Sequence, residues 1–326
     1  MLRHVTCQIC SIPLKKSFSI SRGTKTTADV IRLEIKQGEN LGRAESVPYQ
    51  RYGESINSVC EQIKKITIEI ENGLDREKLG NLLPAGAARN VIDCALWDLE
   101  SKIKKTPVWR LLNQSEPRDI ETALTLSLDD PTAMTKEAES LGECSLLKLK
   151  LNASNVLESV SAVREVAPSA RIIIDANEAW TVNQLKSYQS ELLSMGVDLI
   201  EQPLPASDDR YLDDFEHLIP ICADESFHTS SDFEKIKGLY DCVNIKLDKT
   251  GGLTEAIRCI KKAEEQKLKV MIGCMVASSL AMAPALLLTE NNEFVDLDGP
   301  FLIASDVAPS LKSGHAKLTY NPELWG

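Results

Sequence analysis

Histidine is scarce in this sequence. The four present (His4, His217, His228, His315) never fall at metal-ligand spacing, which weighs against a zinc enzyme. No lysine- or arginine-rich run offsets the formal charge of −11, so nucleic acid is not an expected partner. Neither G-x-G-x-x-G nor G-x-x-x-x-G-K-[ST] occurs, and a nucleotide-binding doubly wound sheet normally carries such a phosphate turn. The N-terminus has no secretory apolar core followed by a small-residue cleavage site. Nine cysteines, an odd number scattered singly, suit free thiols in a reducing cytosol. Cys7 and Cys10 match C-x-x-C, but they sit in a strand-like run with no second pair, and neither redox nor zinc chemistry is assigned to them. Val270 to Thr289 carries no charge and is about long enough to span a bilayer. Gly273, Ser278, Ser279 and Pro284 interrupt it, so it reads as a strand (Lys269–Met275) and a buried helix (Ala277–Leu288). The expectation is a soluble, cytoplasmic chain with no membrane partner.

What is present supports a large core: 43% of 326 residues are apolar. Residues 1–12 and 28–38 read as strands, with 13–27, polar and basic, as a loop between them. Gln37–Asn40 reads as a turn, after which Leu41–Ser46 pairs back as a hairpin. A second loop, Val47–Gly53, carries Tyr49, Arg51 and Tyr52. Ile56, Val59, Cys60, Ile63, Ile66 and Ile70 recur at helical spacing. A stronger amphipathic helix runs from Ala85 to Lys105. This first part, residues 1–116, is read as an α+β capping domain. From there to residue 300, apolar runs centre near Leu124, Lys148, Ile173, Ile200, Cys222, Asn244, Met271 and Asp296, 22 to 27 residues apart with helical segments between. Eight strands alternating with helices predict a parallel (β/α) barrel. Residues 301–326 form a tail returning toward the first domain.

Leu146-Leu147-Lys148-Leu149-Lys150-Leu151 alternates strictly, so both ammonium groups lie on one face of a strand. A solvated strand face is the plain reading of such a pair. The next three apolar runs overturn it, ending in Asp175, Glu201 and Asp224. Strand carboxyl ends form the mouth of a parallel barrel. One such aspartate commonly caps the following helix, but three on neighbouring strands repel one another unless a cation lies between them. Oxygen-only ligands suit Mg²⁺ or Mn²⁺. Strand six ends at Lys246, across the barrel from Lys150. A dication, the nearby Lys148 ammonium and exclusion of water are expected to push either lysine toward the neutral form a base requires. Strand eight ends Asp296-Leu297-Asp298, with both carboxylates inward and placed to hold a substrate cation.

Lys148-Leu149-Lys150, Asp175-Ala176-Asn177, Glu201-Gln202-Pro203, Asp224-Glu225-Ser226 and Lys246-Leu247-Asp248-Lys249-Thr250-Gly251-Gly252, in that order, resemble the enolase superfamily, muconate-lactonizing subgroup. Asp296-Leu297-Asp298-Gly299-Pro300, Ile20-Ser21-Arg22-Gly23, Arg51-Tyr52-Gly53-Glu54-Ser55 and Leu83-Pro84-Ala85-Gly86-Ala87-Ala88-Arg89-Asn90 narrow the likeness to its dipeptide epimerases acting on L-Ala-D/L-Glu. The resemblance implies a modified (β/α)₇β TIM-like barrel under an N-terminal α+β cap, and a part in murein peptide degradation or recycling. It implies Mg²⁺ on Asp175, Glu201 and Asp224, holding the dipeptide's terminal carboxylate. Lys150 and Lys246 would remove and return the α-proton on opposite faces, and Lys148 would stabilise the enediolate. Asp296 and Asp298 would bind the α-ammonium, and Arg22 the glutamyl side chain, with Lys25 its nearest competitor. Asn177 and Glu225 would support the metal ligands from behind.

Two rival readings stand beside this one. An o-succinylbenzoate synthase or muconate cycloisomerase would use the same lysines and metal, but its substrate lacks the ammonium that would explain Asp296 and Asp298. A metabolite-binding barrel with an inert site predicts a missing ligand or lysine, and none is missing. The expected partner is a small dipeptide, and the sequence is compatible with a homo-oligomer.

Overall fold

A computed structural model describes residues 2–290 and 292–326. Its first strands, β1 (His4–Ile20), β2 (Gly23–Gln37) and β3 (Asn40–Ser46), form an antiparallel sheet in that order. The turn between β2 and β3 falls where the sequence puts it. The 13–27 segment is not a loop. It is a hairpin arm turning at Ser21-Arg22, with a register slip between Pro13 and Phe18. An arm standing out from the sheet has few apolar neighbours to face, so it shows no inside-outside alternation. Backbone pairing and the β-branched Thr24, Thr26 and Thr27 hold it extended instead.

The single helix expected over 56–70 is two pieces, Ile56–Lys65 and Thr67–Glu71. Ile66 N–H bonds Ile63 O, and Thr67 Oγ1 also donates to Ile63 O at 3.0 Å. Adjacent β-branched residues and a hydroxyl competing for a helix carbonyl make a break there inexpensive. The strong helix starts two residues later than expected, spanning Ala87–Lys104, with Ala87 N–H donating to Glu54 Oε1 at 2.8 Å. It lies against β2 and β3. Gly42 on β3 permits that approach, since a Cβ there would run into Ala95 O and Leu99.

After a short strand, β4 (Ile120–Glu121), come β5 (Leu124–Leu126), β6 (Leu146–Lys150), β7 (Arg171–Asp175), β8 (Val197–Glu201), β9 (Ile221–Ala223), β10 (Cys242–Ile245), β11 (Lys269–Gly273) and β12 (Phe294–Asp296). These eight pair in parallel in sequence order, and Ala123 N–H to Val295 O (2.8 Å) joins the ends into a nearly closed barrel. Ala123, Leu146, Ile173, Leu199, Cys222, Cys242, Met271 and Phe294 pack inside as an apolar floor. The fold is thus α/β, a capping sheet and helices beside a TIM-like barrel.

The cap's long helix grips the segment after β10. Asn90 Nδ2 donates to Asp248 Oδ1 (2.8 Å), and the carboxylate of Asp93 accepts from Thr254 N–H and Oγ1 (2.9 and 2.6 Å). Beyond the barrel, β13 (Lys312–Gly314) and β14 (Lys317–Leu318) pair, and β14 also pairs with β4. The chain then returns to the helix, where Trp325 Nε1 donates to Cys94 O (3.1 Å) and Gly326 N–H to Asp98 Oδ1 (2.8 Å). Among the described residues no helix is long and apolar enough to cross a membrane.

Candidate active site

Counting in twos upward from the barrel floor leads to most of the buried charged groups of the site, because alternate strand residues share a face. Leu146 leads to Lys148 and Lys150, Ile173 to Asp175, Leu199 to Glu201, Cys222 to Asp224, Cys242 to Asn244 and Lys246, and Phe294 to Asp296 and Asp298. All of these polar residues are buried, Lys148 to 1% exposure and Lys150 to 8%. Lys150, Asp175 and Glu201 stand side by side in the ladders of β6, β7 and β8. Lys246 directly follows β10, which lies four strands round from β6.

The buried charges pair densely. Lys148 Nζ reaches Glu201 Oε2 at 2.6 Å, Asp296 Oδ2 at 2.7 Å and Asp175 Oδ2 at 3.1 Å. Lys150 pairs with Asp175 Oδ2. Lys246 meets Asp224 Oδ2 at 2.8 Å and lies 3.9 Å from Glu201 Oε1. Burial disfavours each ammonium, but for Lys148 the carboxylates of Asp296, Glu201 and Asp175 outweigh it and raise the pKa well above the lysine value. Lys246 is likewise raised, burial being overcome by Asp224 and Glu201. The neighbouring carboxylates favour the charged form of these two lysines, whereas the drift toward neutrality expected from sequence rests on a dication. The carboxylates, closer than any second ammonium, decide the sign, and a dication among them would act the other way. Burial raises Glu201 above its ordinary range, helped by Asp175; Asp224 is driven well below, its lysines overriding burial.

Among the described residues no three His, Cys, Asp or Glu side chains form a ready metal cage; each carboxylate leans on a lysine. The donor set nonetheless fits a hard cation. Asp175, Glu201 and Asp224 offer only carboxylate oxygens, and Glu201 Oε2 is buried without a well-aligned hydrogen bond, although the Lys148 ammonium is near. The five carboxyls Asp175, Glu201, Asp224, Asp296 and Asp298 also outnumber the four buried lysines Lys148, Lys150, Lys246 and Lys249.

Asp296 and Asp298 lie on the β12 side, across the barrel from the strands of that trio, with Asp296 sharing the Lys148 ammonium with Asp175 and Glu201. Asp298 Oδ2 accepts from Thr125 N–H at 2.8 Å, while Asp296 Oδ1 is buried with no partner. Burial, then the charge of Asp296, pushes the Asp298 carboxyl up to about 7. The cap's loops reach the mouth from the opposite side. Arg22, at the hairpin tip, meets Glu225 Oε1 at 2.7 Å, Asn177 O at 2.9 Å, and Glu178 Oε2 and Tyr49 Oη at 3.3 Å each. Lys25 sits over the Tyr49 ring, 5.2 Å from its centroid. Asn177 works through its backbone, its N–H donating to Asp175 Oδ1 at 2.9 Å and its carbonyl accepting from Ser21 and Arg22. Glu225 faces Arg22.

Sequence reading gave no role to Lys249, Asn244 or Glu178. Lys249 is 1% exposed and donates to Asp224 Oδ1 and O (2.6 Å each) and to Asn244 O (2.8 Å). Asn244 Nδ2 donates to Glu201 Oε1 at 2.6 Å. Asn244 was within reach of the floor-to-mouth count; Lys249 follows the strand on a short helical turn, where no period of two applies. Replacing Lys249 with methionine is expected to cost about 1–3 kcal/mol of stability, because it removes one of the two lysines that hold buried Asp224 and leaves Lys246 as the other. Urea unfolding of the variant would measure the loss.

Two family models match the chain: the mandelate racemase / muconate lactonizing enzyme N-terminal domain over residues 4–113, and the enolase C-terminal domain-like model over 133–306. The L-Ala-D/L-Glu epimerase of Escherichia coli (strain K12) is 44% identical over 302 residues, covering 92% of this chain and 94% of that one. An N-acetyl-D-glutamate racemase from a Pseudoalteromonas species is 44% identical over 279 residues, 85% and 88% of the two chains. Among solved structures, an Agrobacterium tumefaciens enolase family member with homology to dipeptide epimerases, holding sodium and L-Ala-L-Glu, superposes with a TM-score of 0.96 at 44% identity, covering 99% and 100%. The Enterococcus faecalis dipeptide epimerase complexed with Mg and L-Leu-L-Tyr gives 0.90 at 29% identity, covering 98% of each.

Proposed function

This chain belongs to the mandelate racemase / muconate lactonizing enzyme family of the enolase superfamily and is a racemase/epimerase of the dipeptide epimerase kind, and from that premise we propose that its substrate is L-Ala-D/L-Glu, inverted at the α-carbon of the C-terminal residue. The observation that carries the substrate class is the buried Asp296–Asp298 pair at the end of β12, across the barrel from β7 to β9 and joined to the Asp175–Glu201–Asp224 trio only through the Lys148 ammonium. A dipeptide places its ammonium and its terminal carboxylate at opposite ends, matching those two groups.

In the proposed reaction one of Lys150 and Lys246 takes the α-proton and the other delivers a proton to the opposite face of the carbon. Lys148, already charged and hydrogen-bonded, stabilises the enediolate between those transfers. Asp175, Glu201 and Asp224 would hold Mg²⁺, which when bound supplies positive charge to the substrate carboxylate as the α-proton leaves. The apolar floor and the capping loops keep water from the carbanion.

Incubating the protein with Mg²⁺ in D₂O and L-Ala-D-Glu, L-Ala-L-Glu or N-acetyl-D-glutamate, with the α-proton followed by NMR, tests this reading. Loss of the α-proton signal with growth of the second epimer is expected for both dipeptides, and silence from both would overturn it. N-acetyl-D-glutamate is in the panel for a structural reason. With its pKa raised to about 7, Asp298 is partly protonated near neutrality and could donate to an acyl oxygen, so an N-acylated glutamate is the second reading.

The same titration separates the two by pH. A carboxyl with a raised pKa is neutral below about 7 and anionic above, so kcat/KM for a dipeptide should rise as pH climbs through 7. It should fall again as the substrate ammonium loses its proton near pH ~8. Deprotonation of the base lysine raises kcat/KM with pH for either substrate, so only the dipeptide should show an added step near 7, and a dipeptide profile that parallels that of the N-acylated substrate between pH 6 and 7.5 would remove Asp298 from ammonium binding.

Arg22 is assigned the glutamyl carboxylate. It is the cation of the hairpin tip that reaches the mouth, although Glu225 must yield it in part. Arg22→Met should lower kcat/KM for L-Ala-L-Glu relative to L-Ala-L-Met by roughly 2–4 kcal/mol. Equal losses for the two would mean that the arginine only shapes the loop.

A further inference from the structure

Glu178 has no part in the chemistry above, yet its carboxylate takes four hydrogen bonds at the barrel rim, three of them from the two arginines of the capping loops. It follows β7 in the left-handed region, with φ at 68°, next to Asn177 at 44°. Side-chain-bearing residues seldom adopt that conformation, and surrounding structure must impose it. Here the loop is fixed by Glu178 N–H to Gln202 O at 2.9 Å and Ala179 N–H to Ala176 O at 3.0 Å.

The turn aims one carboxylate between the two capping loops. Arg51, on the 47–53 loop, grips it with both ends of its fork, Nε to Oε2 at 2.8 Å and Nη2 to Oε1 at 2.7 Å. Arg22, on the hairpin tip, reaches Oε2 from the other side at 3.3 Å, and Ala206 N–H donates to Oε1 at 3.0 Å. The side chain is 10% exposed. Burial raises its pKa, but the arginines overcome this and hold the carboxyl below its usual range. A bidentate grip on one loop and a looser one on the other make unequal contacts. Arg51 spends the matched fork of its guanidinium on Glu178, whereas Arg22 meets Glu178 by one longer contact and can turn to an incoming anion while Arg51 keeps the barrel.

We propose that Glu178 is a positioning residue, the rim carboxylate that joins the hairpin tip and the 47–53 loop into one lid and presents Arg22 to the substrate's distal anion. The lid follows from the contacts alone; the presentation of Arg22 to a glutamyl side chain rests on the dipeptide reading. Arg51 acts only through Glu178, so once Glu178 is removed, removal of Arg51 should add nothing, whereas Glu178 without Arg51 still holds Arg22 and Ala206 N–H.

The test uses the full-length chain carrying Glu178→Gln, Arg51→Met, Arg51→Lys and the double change Glu178→Gln with Arg51→Met. Amide hydrogen exchange reads the lid without activity. Residues 18–25 and 47–53 should both exchange at least tenfold faster in Glu178→Gln and in Arg51→Met, with β6 to β8 unchanged. Acceleration confined to one segment, or spread through the barrel, overturns the lid. Kinetics read the positioning: KM for L-Ala-L-Glu should rise tenfold or more with kcat within threefold. The double variant should be no worse than the poorer single, and Arg51→Lys should recover part of the loss. Independent, multiplying losses, or a fall in kcat alone, overturn the positioning role. If both segments loosen but no dipeptide is turned over even by the parent protein, the lid stands and the substrate reading is what has failed. Should Glu178→Gln not fold, Arg51→Met, a change to a partly exposed residue, carries the same two readouts.

Discussion

Lys150→Ala should abolish epimerisation in both directions, lowering kcat by on the order of 10³-fold or more, since general acid–base catalysis alone contributes 10²–10⁴. The loss should not be symmetrical in its details. Lys246 remains on the far side of the barrel, supported by Asp224 at 2.8 Å, and can still exchange the α-proton of the epimer that presents its proton to that face. Lys150→Ala should therefore wash deuterium from D₂O into one epimer only, and Lys246→Ala into the other. The neighbours make this clean. Lys148, the nearest spare ammonium, is held by three carboxylates at 2.6–3.1 Å and is poorly placed to substitute as a base. A variant that keeps steady two-way epimerisation would mean that one mobile base serves both faces.

Removal of metal should be nearly as damaging. A divalent ion beside a developing enediolate is worth several kcal/mol, so exhaustive chelation should cut turnover by roughly 10³-fold, with Mg²⁺ or Mn²⁺ restoring it. Asp175→Asn, Glu201→Gln and Asp224→Asn should each weaken Mg²⁺ binding measured by calorimetry. If these residues served only as helix caps, each change would instead cost about 1 kcal/mol of stability and leave turnover nearly intact. The structure already argues against that role. None of the three carboxylates caps the helix following its strand, and they face Lys148, Lys150, Lys246 and Lys249 inside the barrel.

The barrel was legible because its physics is periodic. The Leu-Lys alternation of β6 and the acidic ends of β7, β8 and β9 could be read without coordinates, as could the strand spacing, since a two-residue repeat fixes which side chains share the interior. Features without a period were not. The hairpin arm at 13–27 carries lysines and threonines outward on both faces, so it looked like loop. Glu178 owes its position to two left-handed residues, a conformation that no asparagine or glutamate announces. The lysine charge states depended on which partner came nearest. That ordering separates Lys246 beside Asp224 from Lys246 beside a metal, and a linear sequence does not contain it.

The central claim is a two-base proton transfer across one α-carbon, and the first turnovers of the unaltered protein in D₂O test it most directly. With L-Ala-L-Glu and Mg²⁺, mass spectrometry of the separated epimers should find the first product carrying one deuteron at the α-carbon while the remaining substrate is still protium. Product that retains the substrate's own proton, or no product at all, would contradict the account.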